Sequence, residues 1–433
     1  MLFRSSAGPA GEDGAEHLRA AAPDGAGIGA TVGPAAAWRV IRSRSFAPYF
    51  VGNAASASGT WFQNLAASIL VFRLTHSPFL LGVLNFCQFV PVLVLSPWAG
   101  GLADRLDRRK LLLVTQLTST ALTAVLAALA WGGAATEWVV IGFSGALGVV
   151  SALSIPAQQS LIAALVDEVD VPQAVALNSM TFNLARAIGP ASAAAVIATL
   201  GIPWAFAINS ASYLLLFGGL LLVHPREERR AERSSLRDSL RLLRERPALV
   251  MALLVVMVAG FGSDPVNTES PAFAHAFGYS DTWAGVIVAF FGAGAVTAAF
   301  LVAGRVAGSR ARMAITLGAL GAGILLFSLA PWLPLGLPFL ALAGFGYLGS
   351  NTSATTRLAL GVEPWQRGRI MALWSIAFLG LRPVASLVDG AVAGAFGVRA
   401  AGVVLAVPAL VGAVFALSTL RAWRSSPASS SSR

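Results

Sequence analysis

Gly100-Gly-Leu-Ala-Asp104-Arg105-Leu-Asp107-Arg108-Arg109-Lys110 places an acid-then-base cluster between two long apolar runs. An apolar run on each side of a compact charged turn reads as two membrane helices joined by a short loop. Lysine and arginine close to a helix end are retained on the cytoplasmic side, so Arg105, Arg108, Arg109 and Lys110 put this turn inside. Class and orientation both follow from this stretch.

Composition points the same way. Of 433 residues, 56% are apolar and 12% charged, and the mean hydropathy is +0.73. That is too little polar surface to cover a soluble globule of this size. The net charge of +10 would suit nucleic acid only if the bases lined one exposed face of a soluble domain. Here they occupy short loops between apolar runs, so no nucleic-acid partner is expected and the lipid bilayer is. Cys87 is the single cysteine, which excludes a disulfide framework and a cysteine metal site. His17, His76, His224 and His275 are scattered over tail and loops, leaving neither a zinc site nor a Ser-His-Asp arrangement. No Gly-x-x-x-x-Gly-Lys-Ser loop is present, so ATP drive is not encoded in this chain. The expectation is a protein that is not an enzyme, with no metal and no cofactor, driven by an ion gradient.

Residues 1–37 are rich in Gly, Ala and Pro and carry Glu12, Asp13 and Glu16 where the apolar core of a signal peptide would lie. They are expected to form a disordered cytoplasmic tail, as are residues 424–433. Between the tails run about twelve apolar spans, near 46–72, 79–103, 110–132, 138–165, 173–200, 203–223, 248–274, 283–307, 312–331, 335–361, 370–395 and 399–420. The expected class is therefore an all-α integral membrane protein. A six-helix bundle over 38–223 is joined by a cytoplasmic, partly helical linker over 224–247 to a second bundle over 248–423. Basic residues cluster in the loops that this topology puts inside, while the outside loops keep little beyond Arg73 and Arg399. Both termini are thus expected in the cytoplasm. Shifting the chain by 196 residues aligns Asp167 with Glu363 and Ala176-Leu177 with Ala372-Leu373, a weak repeat between the halves. Parallel repeats predict two pseudo-symmetric bundles facing each other across a central cavity.

A charged side chain at the centre of a span costs about 2.5–3.5 kcal/mol on insertion scales, so such residues pair or serve a path. Arg186 lies mid-span in the fifth run, before Gly189-Pro190. It reads as a cavity or gate residue, or else as half of an inter-helix ion pair. Asp264 and Glu269 fall in the seventh, where Pro265 and Pro271 each remove a backbone donor and can interrupt the helix. Desolvation lets a carboxylate in such a place load and release a proton, and Asp264 is the first candidate for that role, Glu269 the second. A static pair for Asp264 and simple solvation for Glu269 are the alternatives. Arg382 and Asp389 share one face of the eleventh span and could complete a network with Arg186 and Asp264. Arg357 reads as an interfacial residue or a partner of Glu363. Asn53, Trp61, Gln158, Asn178, Asn183 and Asn267 fill out a plausible cavity, though many such amides are plain inter-helix hydrogen bonds. Gly292, Gly294, Gly344, Gly346 and Gly349 read as close-packing positions.

The opening cluster resembles the signature loop between the second and third helices of the major facilitator superfamily. Gly100, Asp104, Arg105, Arg108, Arg109 and Lys110 stand at the matching places, and Asp107 departs from the usual Gly. Leu74-Thr-His-Ser-Pro78, Leu81-Gly82, Asn183-Leu-Ala-Arg186 with Gly189-Pro190, Asp264-Pro-Val-Asn-Thr268 and Arg367-Gly-Arg-Ile-Met-Ala-Leu-Trp374 resemble the transmembrane secretion effector and enterobactin-exporter branch. The resemblance implies proton-driven efflux of a small molecule from the cytoplasm across a bacterial inner membrane, by a monomer. It gives weight to Asn53, Gln158, Asp264, Asn267 and Asn351, since helices one, four, seven and ten line the path in the superfamily. It makes Gly189-Pro190 a bend of the antiporter type. It also makes the opening cluster a gating loop, with Asp104 capping the amino end of the eleventh helix in the outward-open state. Import of a small nutrient is the second reading and a non-transporting receptor the third.

Overall fold

The computed structural model describes residues 34–225, 243–244, 246–302, 310–362 and 366–424. Every regular element among them is helical. In lipid each backbone amide and carbonyl must find its partner within the segment, and a helix provides that.

Helix α1 (Pro34–Ile41) precedes the spans. Its start corrects the tail expected over 1–37, because residues 34–37 are helical. Proline at the first helical position and three alanines favour helix, and Val40 anchors it by burial beside Phe46 and Tyr49. Spans one to six are α2 (Ala47–Thr75), α3 (Pro78–Arg105), α4 (Arg108–Trp131), α5 (Glu137–Ala164), α6 (Val171–Thr199) and α7 (Ile202–Leu222). Spans eight, nine, ten and twelve are α11 (Ala284–Val302), α12 (Arg310–Leu329), α13 (Leu333–Leu360) and α16 (Val398–Arg424). The remaining two are broken. Span seven comprises α8 (Pro247–Gly262), α9 (Asp264–Thr268) and α10 (Ser270–Ala276), and span eleven comprises α14 (Arg367–Gly380) and α15 (Arg382–Phe396).

Among the described residues ten segments are long and apolar enough to cross a membrane, against the twelve expected. The two that fall short of that description are α2 and α6. Each has 29 residues, length enough to cross, but their faces carry Asn53, Gln63, Asn64, Asn178 and Arg186. Their polarity reflects what they surround.

Proline accounts for both breaks. Pro265 and Pro271 cannot donate to the carbonyls of Phe261 and Asn267, and Pro383 cannot donate to that of Leu379. At Ser263 the amide turns back to the carbonyls of Ala259 and Gly260 at 3.2 and 3.3 Å. The eleventh span, expected as one run over 370–395, stops at Gly380 and restarts at Arg382. Pro190, by contrast, sits within a helix that runs unbroken from Val171 to Thr199. The Gly189-Pro190 bend is therefore not a break; Pro190 withholds one donor from the carbonyl of Arg186 and the helix continues.

In the first half α2 lies along α6 and α7, α3 along α5, and α4 along α5 and α7. In the second half α13 lies along α11 and α12, α12 along α16, and α8 along α13. Two seams join the halves, α3 with α15 and α6 with α11. On the first seam a Cβ added to Gly82 would stand 2.5 Å from the Ser386 carbonyl and 2.8 Å from the Gly390 Cα, so the helices meet backbone to backbone. Without a hydrophobic drive between helices in lipid, such close approach supplies the association through dispersion. Gly294, Gly344, Gly346 and Gly349 serve the same end within the second half, as expected, facing Ala341, Phe291, Leu320 and Thr316.

Candidate functional site

Arg186 comes from α6 but its surroundings come largely from the other half. It is 5% exposed and donates from Nη1 to the Tyr347 hydroxyl on α13 at 2.7 Å and from Nη2 to Asn267 on α9 at 3.5 Å. The guanidinium lies over the rings of Tyr347 (4.3 Å), Phe291 (5.6 Å) and Trp61 (5.7 Å). Gly189 makes room for the last of these, since a Cβ there would meet Trp61 Cβ at 2.7 Å. Asn267 is held in turn by donating to the Ser263 carbonyl at 2.7 Å, the point where span seven breaks. Among the described residues no carboxylate oxygen comes within 4.0 Å of this guanidinium. The ion-pair alternative for Arg186 is therefore set aside, because its partners are a phenol and an amide.

The second cluster lies between the two broken spans. Asp264, 1% exposed, accepts from Thr268 Oγ1 at 2.9 Å and from Ser386 Oγ on α15 at 3.2 Å. Glu269 and Asp389 are fully buried, and all four of their carboxyl oxygens lack a hydrogen-bond donor. Burial rules out simple solvation for Glu269. Arg382 faces Asp264 without a direct ion pair, and its guanidinium rests 4.4 Å from the ring centre of Phe89 on α3. The anticipated network of Arg186, Asp264, Arg382 and Asp389 is thus a neighbourhood rather than a chain of salt bridges. A small cavity beside it is lined by Trp61, Asn64, Pro190, Asn267 and Ser270.

The amides divide. Asn53 accepts from Gln158 at 2.6 Å and donates to Asn178 at 2.8 Å, tying α2 to α5 and α6. Asn351 accepts from Trp374 Nε1 and Thr355 at 3.3 Å each, tying α13 to α14. These act as inter-helix links, whereas Asn267 and Trp61 sit at the arginine. The side chain of Asn183 lies outside the described residues.

At the opening cluster the side chains of Asp104 and Arg105 and the surroundings of Gly100 are also outside the described set, so the expected cap on the eleventh helix is not among the contacts described. Asp107, which departs from the family pattern, has a local reason to be there: it caps α4, its carboxylate accepting from the Lys110 amide at 3.1 Å. Arg109 donates to the carbonyls of Leu220 and Leu221 at 2.7 and 2.6 Å, satisfying the open end of α7.

Reasoning from sequence missed the opposite end. Arg73, at the end of α2, makes a two-point ion pair with Asp281 just before α11. Beside it the rings of Phe72 and His76 approach His275 of α10 at 5.8 and 6.2 Å. These cross-half contacts, with Gly82–Gly390, Arg186–Tyr347 and Arg382–Phe89, all lie between mid-helix and the Thr75 end. Tyr347, Ser386, Thr268 and Phe89 were missed as well. Tyr347 carried one signal, a lone phenol in the glycine-lined stretch Gly344-Phe-Gly-Tyr347-Leu-Gly349.

Comparison with known proteins adds the following. The profile of the transmembrane secretion effector family matches residues 35–433. The staphyloferrin A transporter of Staphylococcus aureus is 30% identical over 237 residues, covering 52% of this chain and 60% of that protein, less than two thirds of its length. The enterobactin exporter EntS of Escherichia coli is 28% identical over 353 residues, 76% of this chain and 81% of that protein. Among solved structures, a bacterial homologue of the human lysosomal transporter Spinster, inward-facing and occupied, superposes with a TM-score of 0.70 at 14% identity over 88% of this chain and 98% of that one. The nucleoside transporter NupG does so with 0.66 at 13% identity, over 86% and 98%. These two are similar in fold.

Proposed function

The chain belongs to the transmembrane secretion effector family of major facilitator transporters, and on that premise we propose that it exports a small amphiphilic compound, a siderophore or related metabolite, in exchange for protons. The observation that carries the reading is Asp264. It is a fully buried carboxylate at a proline break, facing Arg382 and the ring of residues that joins the two halves around Arg186. A group so placed senses both the pocket and the seam. The siderophore transporters among the relatives support the substrate class.

In this reading the two halves, 38–223 and 248–423, rock about the central site in a bacterial inner membrane with both termini in the cytoplasm. The positive-inside distribution makes the Thr75 end the outer one. Arg73–Asp281 and the ring contacts around His275 then close the outer gate, so the conformation faces inward. The Asp104 cluster is the latch of the opposite state. Loading Asp264 with a proton from outside and releasing it inside biases the two states, and a few kcal/mol is enough to reverse such a population.

Proteoliposomes loaded with a compound and given a pH gradient provide the test. With the outside acidic, the wild-type protein empties the vesicles; accumulation indicates import instead, and binding without flux indicates a receptor. Asp264→Asn abolishes proton-driven flux while leaving ligand binding measurable. Unchanged pH dependence in that variant removes Asp264 from the mechanism.

A further inference from the structure

We infer that the central site takes its ligand by a carboxylate, held between Arg186 and Arg382, with the remainder of the ligand against aromatic rings. The inference rests on the transport reading only in treating this pocket as the path.

A guanidinium deep in a membrane protein is usually answered by an acid. Here two of them, one from each half, border α9: Arg186 donates to Asn267 of that helix, and Arg382 begins the helix whose Ser386 donates to Asp264, and neither has a carboxylate within 4.0 Å among the described residues. Arg186 spends its two terminal nitrogens on a neutral phenol and a long contact to an amide, and its buried Nε has no acceptor. The Arg382 guanidinium makes no hydrogen bond among the described residues and rests on the face of Phe89. Asp264 is already engaged by Thr268 and shares the Ser386 hydroxyl with the Arg382 carbonyl. With Asp264 ionised and the donorless Glu269 and Asp389 neutral, the five groups carry one net positive charge, which matches a single carboxylate. The planar fork of arginine fits that group with two parallel hydrogen bonds. Trp61, Phe291 and Tyr347 around one guanidinium and Phe89 under the other offer apolar faces to an attached ring or chain. A ligand gripped from both halves also draws the seam together, which an apolar ligand would not do.

The full chain in lipid nanodiscs, titrated calorimetrically with 2-naphthoate and with its neutral isostere 2-naphthamide, tests this. Naphthoate should bind at least about ten-fold more tightly, the change that one charge-assisted hydrogen bond brings. Arg186→Gln and Arg382→Gln should each remove the preference, and Arg382→Lys should keep part of it. Each variant is first checked for a single elution peak and a cooperative thermal transition. If Arg186→Gln does not fold, Arg382→Gln and Arg186→Lys decide. Equal affinity for the two probes, a preference surviving in Arg382→Gln, or no heat from either probe up to its solubility limit overturns the inference. The titration needs no gradient. Failed flux in proteoliposomes would thus defeat the transport reading while leaving this one standing, and equal binding would do the reverse.

Discussion

Glu269 and Asp389 are the residues whose chemistry is least accounted for by packing. Both are fully buried beside Asp264 and neither carboxyl receives a donor. A buried acid without a donor gains nothing from its charge. Replacing it by the isosteric amide, Glu269→Gln or Asp389→Asn, should leave the thermal midpoint within a few degrees of wild type, since no hydrogen bond is lost. The same variants should reduce the proton release that a pH-indicator dye reports on ligand binding in weak buffer. Unaltered proton release in both would assign them a purely structural role. Asp264, Glu269, Arg186 and Arg382 were legible in the sequence because a charge in an apolar span stands out against twenty uncharged neighbours. Tyr347, Ser386 and Thr268 were not, since a hydroxyl is cheap enough at membrane depth to need no explanation.

At the scale of elements, the proline positions announced the break in span seven and left that in span eleven unread. Pro265 and Pro271 each follow closely on an acid and drew attention; Pro383 follows Arg382 at what reads as the middle of one apolar run. Which end of the bundle is closed depends on elements far apart in the chain, α2 against α10 and α11. The Arg73–Asp281 pair is partly exposed, so its removal is worth only about 0.2–1 kcal/mol and shifts the gate no more than a few-fold. A covalent lock is the sharper test. With Cys87 replaced by Ser, Arg73→Cys together with Asp281→Cys should be bridged by a short bifunctional methanethiosulfonate and stop flux until reduced. Flux unaffected by complete crosslinking would mean that this end does not open.

For the whole molecule, the orientation can be read through one side chain. Lys110 is the only lysine and is exposed at the start of α4, so a membrane-impermeant amine reagent should modify it in inverted vesicles and spare it in intact spheroplasts. Peptide mapping separates it from the terminal amine. Labelling from outside would reverse the topology and with it the inner and outer gates. The class of the molecule, the limits of most helices and the presence of buried charges were determined by the sequence alone. Hydropathy and the cost of an unsatisfied backbone in lipid act locally, residue by residue along the chain. Who faces whom was decided only by the tertiary structure. The aromatic cage of Arg186, the orphaned acids, the Gly82–Gly390 crossing and the Arg73–Asp281 pair each join residues 105 to more than 300 positions apart. Proximity across a seam between two helical halves follows from how their surfaces fit, and no local periodicity encodes that.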